Sequence, residues 1–197
     1  MGPDGPREDI ARAIAATGCR LREDPARGGF YLVDCPSFQA RAELVDAMAW
    51  RDALHDGEVR ALALGIVRDL PELGAESVAR RVHQAVRDRV RYVGEAGDII
   101  QDPVVTWDFA AGDCDCHSRC VLALLRSLGV DCCLVGFTVD SDERSDGGPE
   151  VLHACACWRR APDDLVWLET TLPGAEFGEH PKAAAARLFS NREDLAR

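Results

Sequence analysis

The order of patterns along the chain predicts an α+β domain: helices first, one apolar helix at the centre, then an antiparallel meander. Three observations predict it. Before residue 91, three successive stretches repeat apolar residues at helical spacing with polar turns between them. Asp115–Leu128 then places Val121, Leu124, Leu125 and Leu128 at core spacing and is followed by Gly129, a helix stop. After Gly129 the apolar runs become short and rich in Val, Leu, Cys and Trp, which is the texture of strands.

Each element follows from local signals. MGPDGPRED, residues 1–9, is turn-rich and charged and reads as a flexible arm. Arg7–Thr17 reads as a short amphipathic helix, and Gly28–Asp34 as a strand opened by two glycines. Ser37 is placed to cap a helix carrying Phe38, Leu44, Met48 and Ala49 on one stripe. Glu58–Leu70 repeats that pattern until Pro71, and Ser77–Val90 gives the third helix. Ile99–Trp107 reads as extended and broken by Pro103, which lacks a donor and restricts its neighbour. Asp131–Thr138, Val151–Trp158 and Leu165–Thr170 are the strands. SDERSDGGPE and RRAPDD are their hairpin loops, and Asp140–Glu150 has the composition of a mobile surface loop. Lys182–Arg197 closes the chain as a polar helix.

Composition limits what the domain does. With 197 residues, 47% of them hydrophobic and 29% charged, the chain has the balance of a globular domain with one core. A net charge of -11 without a basic patch argues against nucleic acid, whose phosphates reward clustered Lys and Arg. It argues equally against anionic membrane surfaces. The N-terminal residues lack the apolar core of a signal peptide, and no apolar run reaches membrane length. The expected compartment is therefore cytoplasmic and reducing. Nine cysteines, odd in number and unevenly spread, fit free thiols or a metal better than a disulfide framework.

The stretch Gly112–Cys120, GDCDCHSRC, concentrates the chemistry, and three readings compete. In the first, Cys114, Cys116, His117 and Cys120, completed by Cys132 or Cys133, would hold a metal. Structural zinc sites usually show two separated pairs of ligands, whereas here all but the first candidate lie within one helical pattern. In the second, the cysteines are small buried apolar residues, which accounts for Cys120, Cys132, Cys133, Cys155 and Cys157. Cys19 and Cys35 are isolated and carry no signal.

The third reading singles out Cys114. It lies at the first turn of the central helix, where backbone N–H groups and the positive dipole end favour a thiolate. Asp113 and Asp115 flank it and oppose that effect, and Asp113 is also placed to cap the helix. Cys114 heads the stripe Ser118, Val121, Leu125, so it should look towards the sheet. A nucleophilic thiol needs a base on another element, oriented in turn by a third group. His153 is the one histidine in a β-type run, and Glu169 ends the next strand within reach of a hairpin neighbour. Alone, each would be read as a satisfied core histidine and a solvated strand end. Their order and spacing make the combination informative.

At these residues the sequence resembles a family. GDCDCHSRCVLALLRSLGV, followed by His153 in a strand and by Trp167–Thr171, WLETT, is similar to the transglutaminase-like cysteine-enzyme superfamily of papain-like fold. More narrowly it resembles the bacterial and phage-associated branch with a Gly-Asp-Cys-Asp-Asp signature, in which an extended Gln-x-Pro segment precedes the signature. Gln101-Asp102-Pro103 matches that segment. The resemblance covers roughly residues 91–181. It implies a hydrolase or acyl transferase acting on amide or thioester carbonyls, with Cys114 as nucleophile, His153 as base and Glu169 as orienting acid.

The resemblance divides residues 10–197, taken as a single domain, into a helical part over about 10–93, a catalytic core over about 94–181 and the closing helix. It also implies a protein or peptide substrate, no cofactor, and possible partners among phage or prophage structural proteins. Two positions depart from the family pattern: Cys116 stands where the signature has its second Asp, and the acid is Glu169 where relatives more often have Asp. Cys114 N–H and, less directly, Gln101 are the candidates for stabilising an oxyanion. The competing classes are a retained fold without turnover, serving as a structural or assembly protein of a phage-like particle, and a Cys/His metal-binding domain.

Overall fold

The computed structural model describes residues 5–94, 99–139 and 151–187. Helix α1 (Gly5–Ala16) leads into a hairpin of β1 (Arg20–Glu23) and β2 (Phe30–Asp34). Then come α2 (Phe38–His55), α3 (Gly57–Val67) and α4 (Ala75–Arg89). Short polar residues cap α2 and α3, the first being the Ser37 that the sequence predicts, whereas α4 starts after Gly74 without a side-chain cap. Ser37 Oγ accepts from Ala40 N at 3.1 Å, and the Asp56 carboxylate accepts from the Glu58 and Val59 amides.

The segment Ile99–Trp107 corrects the expectation of extended chain. Only β4 (Ile99–Gln101) is a strand, adding to the hairpin in the order β1-β2-β4. Helix α5 (Pro103–Phe109) begins at the proline. Pro103 does hold Asp102 extended, at ψ 150. Its own fixed φ, however, suits a first helical turn, where a missing N–H costs nothing. Ala110, with φ 53, then turns the chain into β5 (Ala111–Gly112), which runs parallel to β3 (Arg91–Tyr92).

Helix α6 (Cys114–Ser127) is the centre of the molecule, and every residue from Asp115 to Ser127 is buried. A helix covered on all sides belongs in the core. It packs against α2, α3, α4, α5 and the following sheet. Its Val121, Leu122, Leu124 and Leu125 share one apolar cluster with Val59 and Val67 of α3, Val82 and Val86 of α4, and Leu168. Each such leucine contributes about 2 kcal/mol by leaving water. Its buried cations are all partnered. The Arg119 guanidinium bonds Asp52 at 2.7 and 3.1 Å, the Gln101 carbonyl at 2.9 Å, and the Asp102 carboxylate. Arg126 bonds the Asp46 carboxylate at 2.5 Å.

The chain then forms the antiparallel sheet β6-β7-β8, with β6 (Cys132–Val139), β7 (Val151–Ala161) and β8 (Asp164–Trp167). Strand β7 runs on through most of RRAPDD, leaving only Pro162 and Asp163 as the turn. The loop Asp140–Glu150 lies outside the described residues, and the expected closing helix is described over 181–187, where it is helical. Helices in front and an antiparallel sheet behind a central helix make an α+β fold of papain-like type.

Cys19 and Cys35 overturn the expectation that they are isolated, because they form a disulfide. The hairpin register pairs Arg20 with Asp34, so the two flanking cysteines meet at the end of the ladder. A spacing of 16 residues hides this in the sequence, where only the second strand of the hairpin is legible and Arg20–Glu23 carries no strand pattern. A disulfide persists in oxidising surroundings, so a reducing compartment no longer follows from the cysteine count. The other seven cysteines are free. Among the described residues no helix is long and apolar enough to cross a membrane.

Candidate active site

The Gly-Asp-Cys run has a separate physical reason at each position. A Cβ on Gly112 would fall 2.6 Å from the Cβ of Cys116, so only glycine lets β5 approach the helix. Asp113 is the N-cap, its Oδ1 accepting from Cys116 N at 3.0 Å. Cys114 is the first residue of α6. It opens onto a cavity of about 360 Å³ walled by Cys35, Ser37, Phe38, Arg41, Asp113, Cys114 and Asp115. A larger cavity, about 660 Å³, lies among α1, α2 and β6 and holds neither Cys114 nor His153.

Strand β7 meets this helix end. Because β8 stops at Trp167, the edge of β7 near Ala154 is left open, and α6 covers it. Ser118 Oγ donates to the Ala154 carbonyl at 3.1 Å, and the Ala154 backbone acts on the Cys114 thiol to lower its pKa. The Ser118 bond sets the first turns of α6 against the residue that follows His153. The stripe Cys114–Ser118 thus faces the sheet, as its spacing predicts.

His153 Nε2 lies 2.7 Å from Glu169 Oε2. Glu169 is 1% exposed, and its other oxygen, Oε1, accepts from Thr171 N and Thr171 Oγ1, both at 2.6 Å, and from Leu172 N at 3.3 Å. Burial alone would raise this carboxyl's pKa. The bonds from His153 and Thr171 outweigh burial and hold it below the usual glutamate value, so it is ionised at neutral pH. With Nε2–H donated to Glu169, the imidazole keeps Nδ1 as an acceptor.

Of the two opposing influences on the thiol that the sequence shows, the flanking carboxylates prevail over the helix N-terminus, and burial adds the largest effect. Burial pushes Cys114 up to about 12, and the Asp115 and Asp113 carboxylates add to the rise. The Ala154 amide and Arg41 oppose it without prevailing. Burial and two nearby anions therefore outweigh the helix dipole, and Cys114 rests as a neutral thiol.

Two residues that shape this site carry no local signal in the sequence. Arg41, from α2, pairs with the Asp115 carboxylate and lies 3.7 Å from Asp113 Oδ2. It neutralises part of the acidic pair around Cys114. Tyr92, 52% exposed, pairs with Gly112 across the β3–β5 ladder, and its phenol pKa is raised by burial and then by the Cys114 and Asp113 charges. Both residues come from elements distant in sequence, so no local pattern could have revealed them.

The backbone of Gln101 is tied to α6: the residue is 4% exposed, its main-chain N–H donates to Cys116 Sγ at 3.4 Å, and its main-chain carbonyl accepts from Arg119. The Gln-Asp-Pro segment is thereby bound to the flank of α6. The same contact gives Cys116, at the position of the missing signature Asp, a buried structural partner. Cys120 Sγ points at the Pro103 carbonyl, 3.7 Å away, and His117 Nδ1 at Thr170 Oγ1, 3.1 Å away. Among the described residues no group of three or more His, Cys, Asp or Glu side chains is gathered to hold a metal.

A cysteine opening a buried helix against an antiparallel strand that bears a histidine is the arrangement of a papain-like cysteine fold. The family model of the transglutaminase-like superfamily matches residues 60–177. That is the larger part of the chain, and the chain belongs to this superfamily. At the level of the family, membership points to cysteine-based hydrolase or acyl-transferase chemistry. A search of the curated proteins finds no match.

Proposed function

We propose that the chain is a cysteine hydrolase or acyl transferase acting on amide bonds of a protein or peptide, with Cys114 as nucleophile, His153 as base and Glu169 as orienting acid. The observation that carries the reading is the 2.7 Å His153–Glu169 bond, made by the residue next to Ala154, whose carbonyl accepts from Ser118 one turn along α6 from Cys114. In the step proposed, His153 Nδ1 takes the thiol proton as the sulfur attacks the carbonyl carbon. Because the resting thiol is neutral, proton transfer and attack proceed together rather than from a stored thiolate.

The S–C bond forms, and the carbonyl electrons move onto oxygen. The Cys114 amide receives that charge, since Asp113 has taken the Cys116 amide and leaves the first one outward. When the C–N bond breaks, His153 returns its proton to the leaving amine. Water or a second amine then cleaves the thioester, releasing an acid or a new amide and restoring the thiol. The placement in the bacterial, phage-associated branch rests on Gln101-Asp102-Pro103 and the Gly-Asp-Cys run.

A second reading draws on the raised thiol pKa: a fold retained as a structural or assembly component, with Cys114 inert. The two are separated by iodoacetamide labelling of each cysteine against pH, read by peptide mass spectrometry. The enzyme reading expects Cys114 to label faster than buried Cys120, with the difference lost in His153→Ala. Equal labelling of the two in the native protein would favour the inert fold.

A further inference from the structure

We propose that His83 and His117 are positioning residues that set Glu169 against His153, by clamping the chain segment that carries it. The inference rests on the reading of Glu169 as the orienting acid. Glu169 lies beyond the end of β8, and the ladder reaches only as far as Leu168 N, which donates to the Ala156 carbonyl at 2.9 Å. From there the backbone is irregular, and no strand bond fixes it. The turn made by Thr171 and Leu172 orients the carboxylate relative to its own backbone, but it does not fix that backbone relative to β7 or α6.

Two buried imidazoles supply what the sheet does not. His83, from α4 and 1% exposed, lies with Nε2 at 2.8 Å from the Glu169 carbonyl. A carbonyl only accepts, so this nitrogen carries the hydrogen. His117, from α6 and 0% exposed, lies with Nδ1 at 3.1 Å from Thr170 Oγ1. Two helices thus grip two consecutive residues, and α6 is the helix that also presents Cys114. Burial lowers the pKa of both histidines, so at neutral pH they act as uncharged hydrogen-bonding groups. Around His83 stand Arg87, Asp88, Glu169 and the Phe177 ring, and around His117 stand Asp113, His153, Glu169 and Thr170.

A buried imidazole that merely fills the core would tolerate any side chain of its volume. One that holds Glu169 in place requires a donor at the Nε2 position, and its loss should matter only while Glu169 functions. The test uses p-nitrophenyl acetate as the acyl donor and reads the burst of p-nitrophenolate that accompanies acylation of Cys114. His83→Leu is expected to slow acylation about tenfold, the equivalent of one net hydrogen bond. His83→Gln, whose amide can donate to the same carbonyl, is expected to stay within about threefold of the native rate. Thr170→Val, which removes only the hydroxyl facing His117, is expected to slow acylation in the same direction. It keeps the test decisive if His83→Leu fails to fold.

In a Glu169→Gln background, His83→Leu or Thr170→Val should cost little more, because the group they position is already disabled. Full additivity of the losses would overturn the proposal, as would native rates in both His83→Leu and Thr170→Val while His153→Ala is inactive. A native rate in His153→Ala would overturn the underlying reading instead, and this proposal with it.

Discussion

Glu169→Gln tests how the site works, because the structure dictates what the amide must do there. Oε1 of Glu169 is surrounded by three donors: Thr171 N, Thr171 Oγ1 and Leu172 N. A glutamine NH2 placed among them would face donor against donor, so its carbonyl must occupy that position. The NH2 group is then forced towards His153 Nε2, where the native carboxylate accepts at 2.7 Å. His153 can meet it only by moving its hydrogen to Nδ1, which removes the acceptor that the Cys114 thiol needs. Loss of one charge-assisted bond alone would cost about 1.5–3 kcal/mol, roughly 10- to 150-fold. The reversed tautomer adds to this, and a total of roughly 10³- to 10⁴-fold is expected, as for an amide replacing the acid of a serine-protease triad. The assay is the rate of the p-nitrophenolate burst at neutral pH, with folding checked by circular dichroism. A Glu169→Gln protein acylating within about threefold of the native rate would refute the reasoning, since neither bond nor tautomer would then matter.

Asp52→Ala strands the fully buried Arg119 guanidinium beside Asp102 alone, and breaking such a pair costs about 3–5 kcal/mol; urea unfolding should show that loss, and a change below about 1 kcal/mol would contradict it. Stability should also fall in alkali. Cys114, Cys120 and Cys132 are each pushed up to about 12 by burial, whereas the unfolded chain releases these protons near pH ~8.5. Above that pH the unfolded state binds fewer protons than the folded one, so each buried thiol removes up to ~1.4 kcal/mol per pH unit between about 8.5 and 12. Urea midpoints between pH 7.5 and 10 should fall, less steeply in Cys120→Ala, and a flat profile would count against buried neutral thiols. Replacing Cys19 and Cys35 together by serine opens a loop of 16 residues and should cost about 3 kcal/mol of stability. Equal stability of that variant and the native protein would mean the bond contributes nothing.

Much of this was legible in the sequence because the signals were local. Ser37, Asp113 and Gly129 mark helix ends through contacts within one turn, and the stripe of α6 reports its own burial. His153 and Glu169 could be paired from the sequence because the hairpin of β7 and β8 brings them together, although β8 ends at Trp167 and Glu169 lies beyond it, not on the strand expected to run to Thr170. What failed was non-local or ambiguous. Pro103 both ends a strand and opens a helix, and the sequence shows only the break. The Cys19–Cys35 bond depends on a hairpin register whose first strand, Arg20–Glu23, has no apolar pattern to announce it. Arg41 and His83 reach the site from elements 74 and 86 residues from their partners Asp115 and Glu169, and Tyr92 from β3, through no periodicity of their own. For the thiol pKa the sequence shows the helix dipole and the opposing Asp113 and Asp115, but not the desolvation that is the largest cause.

The central claim is that Cys114 becomes acylated with His153 as its base. The most direct measurement is the intact mass of the protein after brief reaction with p-nitrophenyl acetate, followed by peptide mapping and treatment with neutral hydroxylamine. The account predicts one acetyl group on Cys114, removed by hydroxylamine as a thioester, and absent from Cys114→Ser and His153→Ala. Acetylation spread over other residues, or unchanged in His153→Ala, would contradict it.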